Sequence, residues 1–210
     1  MTGLGSYPQS HRRLKTAVRY LIFTMIAMFT LAGCRGKEND YSETTVTIDK
    51  KGVISHRIVE SFDKSYYNED ELRGIINDEL SAYRAGKDED SASLVSLEIK
   101  DQTATAEIRF ASYEDYAKFN DVDFFYGTIG EAVESEYPTD VTLKSSTDDS
   151  TISRYEFESM TDSKLVIVSE PVIIETPHKI AYTTANIDVI DERSARMASD
   201  SVGLGYIVLK

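Results

Sequence analysis

The chain has a single cysteine, Cys34, and it stands directly after an apolar run. That placement limits what the 210 residues can build. Tyr20 to Gly33 reads Tyr-Leu-Ile-Phe-Thr-Met-Ile-Ala-Met-Phe-Thr-Leu-Ala-Gly, without a charge. As a helix at about 1.5 Å per residue the run reaches roughly 21 Å, short of the roughly 30 Å hydrocarbon core of a bilayer. Arg35 blocks its extension. Whatever folds beyond Cys34 has no second cysteine for an internal disulfide, a zinc knuckle or a CxxC pair. It must be held by its apolar core, and 41% hydrophobic content is enough to build one.

Four basic residues (Arg12, Arg13, Lys15 and Arg19) precede the run, and small residues end it. Basic stretch, apolar stretch and small-residue end are the layout of a secretory signal. The last four positions, Leu31-Ala32-Gly33-Cys34, resemble the lipobox of bacterial lipoproteins. The resemblance implies a diacylglyceryl group on the Cys34 sulfur and cleavage between Gly33 and Cys34. Leu31, Ala32 and Gly33 would then be the signal-peptidase recognition residues. Small side chains admit the backbone to a protease cleft, and a thiolate is the nucleophile able to accept the lipid. An ordinary secretory signal with a coincidental cysteine would instead leave a lone exposed thiol open to oxidation. The expectation is a lipoprotein on the extracytoplasmic face of the cell membrane: residues 1–33 a signal peptide, 34–43 a lipid-anchored polar leader. Nine leader residues after Cys34 reach at most roughly 30 Å.

Of the 23 basic residues, four lie before Cys34, where there are no acids. The remainder carries 19 basic against 36 acidic residues, a formal charge near −17. Such a body repels phosphate backbones and anionic headgroups alike. This excludes nucleic acid as a partner and predicts a folded part that stands off the lipid surface.

Beyond the leader, the pattern predicts a hairpin of Thr44–Ile48 and Val53–Glu60 around Asp49-Lys-Lys-Gly52. A helix follows, capped by Asn68 with Glu71 three residues on and with Tyr67 stapled onto Leu72. Leu72, Ile75, Ile76, Leu80 and Tyr83 form its apolar face and Gly86 stops it. Ser93–Lys100 and Thr103–Phe110 make a second hairpin around Asp101-Gln102. Ser112 with Asp115 starts a short helix to Asn120, with Tyr113, Tyr116 and Phe119 toward the core. Phe124–Tyr126 is a buried strand, and Thr128 with Glu131 starts a brief helix ending before Pro138. Residues 139–150 are a polar stretch. The rest alternates like strands: Thr151–Glu158, Leu165–Ser169, Val172–Glu175, Lys179–Tyr182, Ile187–Ile190 and Tyr206–Leu209. The expected class is α+β: a mostly antiparallel sheet with two or three short helices and a β-rich C-terminal part. Residues 44–169 form the α+β domain, and 170–210 a β-rich tail that either completes the same sheet or stands as a small appendage. The Thr45-to-Tyr83 stretch and the Lys179-to-Tyr206 tail also resemble uncharacterised lipoproteins of clostridial-type Gram-positive bacteria. That resemblance implies a single-membrane cell and transfers no activity.

No catalytic constellation stands out, and no cofactor or metal is expected. Beyond Cys34 only His56 and His178 remain, and neither HExxH nor GxSxG is present. A histidine in a hairpin strand and one after a proline in a loop read as packing and surface positions. The acidic clusters Asp88-Glu89-Asp90, Asp121-Val-Asp123 and Asp148-Asp149 lack the spacing that wraps calcium and read as solvated faces. With 36 acids, close carboxylate pairs carry no signal for glycoside hydrolysis. Gly203-Leu-Gly205 lies inside strand-like sequence and reads as a bend, not a phosphate loop. The functional expectation is a non-enzymatic binding module near the membrane, with a protein partner at the cell surface met through a strand edge of the tail. The alternatives are a wall or surface hydrolase and a ligand-capture lipoprotein for a transporter.

Overall fold

The computed structural model describes residues 42–148 and 150–210. The basic stretch, the apolar run and the Leu31–Cys34 motif lie outside the described residues. Those described form two sheets, four α-helices and one 3₁₀ turn.

The strands are β1 (Thr45–Ile48), β2 (Ile54–Ser61), β3 (Ala92–Lys100), β4 (Thr103–Phe110), β5 (Phe124–Thr128), β6 (Leu143–Ser145), β7 (Thr151–Ile152), β8 (Lys164–Val168), β9 (Ile173–Glu175), β10 (Ile180–Thr183), β11 (Ile187–Val189), β12 (Ser194–Met197) and β13 (Gly205–Leu209). The helices are α1 (Glu69–Arg84), α2 (Tyr113–Asn120), α3 (Ile129–Glu134) and α4 (Arg154–Ser159). The first sheet runs β11-β12-β9-β1-β2-β4-β3 and the second β5-β8-β13-β10-β6-β7. All pairings are antiparallel except β1 with β9. The α+β class, antiparallel-rich with a β-rich C-terminal part, is what the patterning predicted.

Local chemistry sets the hairpins. In the β1–β2 turn the Asp49 carboxylate accepts from the Lys51 and Val53 amides (2.7 and 3.0 Å), and Gly52 takes φ +83°. The β3–β4 turn places Asp101 and Gln102 both in the left-handed region, φ 49° and 62°. That is the handedness a two-residue hairpin loop needs, met here without glycine.

The sheets share one core. Val46, Ile54, Ile108 and Phe110 of the first sheet cluster with Phe124, Val166, Val168, Ile207 and Leu209 of the second. The far face of the second sheet (Phe125, Leu165, Ile167, Tyr206, Val208) packs under α3 and α4 through Ile129, Ala132 and Phe157. Strand β8 is therefore buried on both faces, which is why Leu165–Val168 is continuously apolar with no alternation. Helix α1 packs beside β3 through Leu80, Ile76 and Tyr83, while Ile75 at its stripe's edge is 38% exposed. Asn68 caps α1 by accepting the Glu71 amide, and Tyr67 packs against Phe62 and meets Tyr66 edge-on.

Two expectations need correction, one strand has no mark in the pattern, and the open alternative for the tail is decided. The strand expected over Thr151–Glu158 ends at Ile152, and α4 takes its place, making a fourth helix. Ser153 caps α4 from its hydroxyl, and the Glu156 carboxylate accepts the Ser153 amide in return, 2.7 Å. This Ser-x-x-Glu box is present in the sequence, but the alternation around it reads as strand. The polar stretch 139–150 contains β6, anchored by fully buried Leu143. The Ser-Ala-Arg-Met of β12 carries no β-branched residue to announce it, and β9 and β11 hold it from both sides. The segment after residue 170 is no appendage: β9, β11 and β12 complete the first sheet, and β10 and β13 lie within the second. Replacing Ser153 with Ala should cost about 1 kcal/mol, the usual worth of such a cap, measured by urea unfolding.

Candidate functional site

The residues singled out by sequence do not converge. His56 sits on the inner face of the first sheet, level with Val46 and Ile108, and is 6% exposed. Neither ring nitrogen has a hydrogen-bond partner among the described residues, and burial pushes its pKa down to about 4. Its ring meets Tyr116 edge-on at 5.2 Å. Tyr116 is fully buried and donates its hydroxyl proton to the Glu170 carboxylate. Burial, then the Glu170 charge, holds the Tyr116 phenol well above its ordinary range. Burial likewise raises the Glu170 carboxyl, while the bond from Tyr116 acts the other way. His56 and Tyr116 are buried, Glu170 is half-buried, and none of the three lines the cleft beside the β1–β2 turn.

His178 lies exposed between β9 and β10, and its carbonyl accepts from the Thr176 hydroxyl. Glu89 and Asp90 are exposed and begin the 3₁₀ turn that follows Asp88 and ends at buried Ser91. Asp121 closes α2 in the left-handed region, φ 60°. Asp148 accepts the Ser150 amide at 2.8 Å, and Asp149 lies outside the described residues. Among the described residues no group of three or more His, Cys, Asp or Glu is placed to hold a metal. Gly203, φ +91°, bends the chain ahead of β13, and a Cβ at Gly205 would fall 2.5 Å from the Ile187 side chain. The tail presents one strand edge among the described residues, three-residue β11. That is too short for much strand addition.

A different place collects chemistry. A cleft of about 490 Å³ opens between the β1–β2 turn, the start of α2 and the end of β5. Lys50 and Lys51 come from the turn, and Lys164 arrives because β8 pairs Lys164 with Thr128. Tyr113, Phe125 and Tyr126 form aromatic walls, and Glu114, Glu131 and Glu134 lie among them. Tyr113 packs edge-on against Phe125 at 5.1 Å, and the Lys164 ammonium lies 5.5 Å from the Tyr126 ring centroid. Burial, then the Glu114 charge, pushes the Tyr113 phenol up to about 12, so it keeps its proton and donates. Glu131 is already spent: it accepts the Thr128 amide at 2.6 Å in the α3 capping box, which lowers its pKa. What this arrangement offers is ion pairing of both signs beside aromatic surface. Adjacent lysines in a turn are its only trace in the sequence, because Lys164 joins them only through sheet pairing.

The described helices include none long and apolar enough to cross a membrane. No family model, no curated protein and no solved structure matches the chain.

Proposed function

We propose that the chain is an exported lipoprotein, anchored by lipid on Cys34 at the extracytoplasmic face of the cell membrane, and that its body is a binding module. The observation that supports this most is the opposition of tether and cleft along β1. The chain enters β1 at Thr45, where the Thr44 carbonyl accepts the Ile173 amide and Glu43 pairs with Arg196. It leaves β1 at Ile48 into the turn that supplies Lys50 and Lys51 to the cleft. A lipid on Cys34 therefore tethers the body through the end of β1 opposite the turn that supplies the cleft. The mixed charges and aromatic walls suit a ligand that is itself zwitterionic, such as a peptide segment of a surface protein. A hydrolase is less well supported, since neither histidine lines the cleft.

The test is crosslinking on intact cells expressing the anchored protein, compared with a Lys51→Glu/Lys164→Glu double variant. Reproducible capture of a partner by the parent and its loss in the double variant are expected. Capture unaffected by the two reversals would remove the cleft from the proposal.

A further inference from the structure

We propose that the aromatic cluster Phe62, Tyr66 and Tyr67 is a second membrane contact, resting in the interfacial layer of the bilayer that holds the anchor. This inference depends on the lipid-anchor reading above. It adds a fixed orientation: the body is held at two points and its cleft faces away from the lipid.

The cluster lies on the connection from β2 to α1. That connection leaves the first sheet beside the point where the chain enters β1, for the Val59 amide donates to the Thr44 hydroxyl at 3.2 Å. The Phe62 amide donates to the Gln102 carbonyl at 2.6 Å and ties the base of the loop to the β3–β4 turn. Phe62 and Tyr67 stack with ring centroids 4.9 Å apart, and Tyr66 meets Tyr67 edge-on at 5.0 Å. Tyr66 is nevertheless 74% exposed, so a supported ring is held outward. A tyrosine with an apolar body and a polar tip suits the boundary between headgroups and acyl chains.

Chain length says what covers the rings. From Cys34 to Glu43 the chain reaches at most about 30 Å. A body of roughly 170 residues has a radius of gyration near 15 Å and a diameter near 40 Å. A leash rooted beside the cluster cannot let the body turn its opposite end to the bilayer. Charge sets the form of the contact. The net charge opposes a body lying flat on anionic lipid, but Asp63, within the loop itself, is offset by Lys64 at 3.0 Å.

The chain has no tryptophan, so one introduced indole reports alone. The lipidated protein would be reconstituted into phosphatidylcholine vesicles, with and without brominated acyl chains. Tyr66→Trp is compared with Lys50→Trp, which sits in the exposed turn at the other end of β1. The Tyr66→Trp emission is expected to shift to the blue and to lose most of its intensity to brominated lipid. The Lys50→Trp emission should do neither. Mixing in phosphatidylglycerol at low salt should weaken the quenching, because the body is acidic. Emission from Tyr66→Trp that is the same on floated vesicles as in a soluble form lacking residues 1–34 would overturn the contact. So would equal quenching at both positions. Failure of the protein to float with vesicles at all would instead count against the anchor, so the two readings fail separately.

Discussion

A Cys34→Ser chain should lose its lipid and, with it, its hold on the membrane. Each buried methylene contributes about 0.8 kcal/mol, so two long acyl chains supply on the order of 20 kcal/mol of attachment. No feature of the body approaches that: its charge is repulsive toward anionic headgroups, and an interfacial ring adds only a fraction. The parent should incorporate a labelled fatty acid and yield a first residue of lipid-modified Cys34 on mass spectrometry. The serine chain should incorporate none. Residual retention through an uncut signal segment is distinguished by the intact residues 1–33. A parent that takes up no label and begins elsewhere would sink the anchor, and with it the placement of the cleft.

The second large effect is acid destabilisation through His56. Its pKa falls from 6.5 in the unfolded chain to about 4 in the core, because burial disfavours the charged ring. Between these values the unfolded chain binds a proton that the folded one refuses. Stability is therefore lost as pH falls through this window and is fully present above it. The gap corresponds to about 3 kcal/mol at its limit, at 1.36 kcal/mol per pH unit. Glu170 has the opposite sign: its raised carboxyl makes the ionised form costly, so acid relieves it. His56→Phe keeps an edge-on ring against Tyr116 and removes the titration, while Glu170 is the same in both proteins and cancels in the comparison. Urea unfolding at pH 7 and at pH 4 should show the parent losing about 3 kcal/mol more than the variant. Parallel losses would mean that His56 does not titrate with folding. His56→Leu, smaller than Phe, repeats the comparison if the larger ring is not accommodated.

Much of the local structure was legible. Asn68, Ser112 and Thr128 each cap the helix expected of them, and each accepts the predicted amide three residues on. The two early hairpins fall where turn chemistry put them, because a turn is decided by the few residues within it. Ser153 carries an equally good cap, but Thr151–Glu158 also alternates as a strand would. A two-residue edge strand and a short helix share such a segment, and the second sheet's packing on Phe157 selects the helix.

The sequence by itself determined the likeness of Leu31–Cys34 to a lipobox, the absence of disulfides, the acidic balance and the α+β class, all properties of order, composition and short-range pattern. Only the tertiary structure decided that residues after 170 run through both sheets, that Glu170 meets Tyr116 beside His56, and that Lys164 joins Lys50 and Lys51 around one cleft. These are matters of long-range strand register, as in the pairing of Thr45 with Ile173. Register is set by how two apolar faces fit together across the core, and no local window of residues contains that fit.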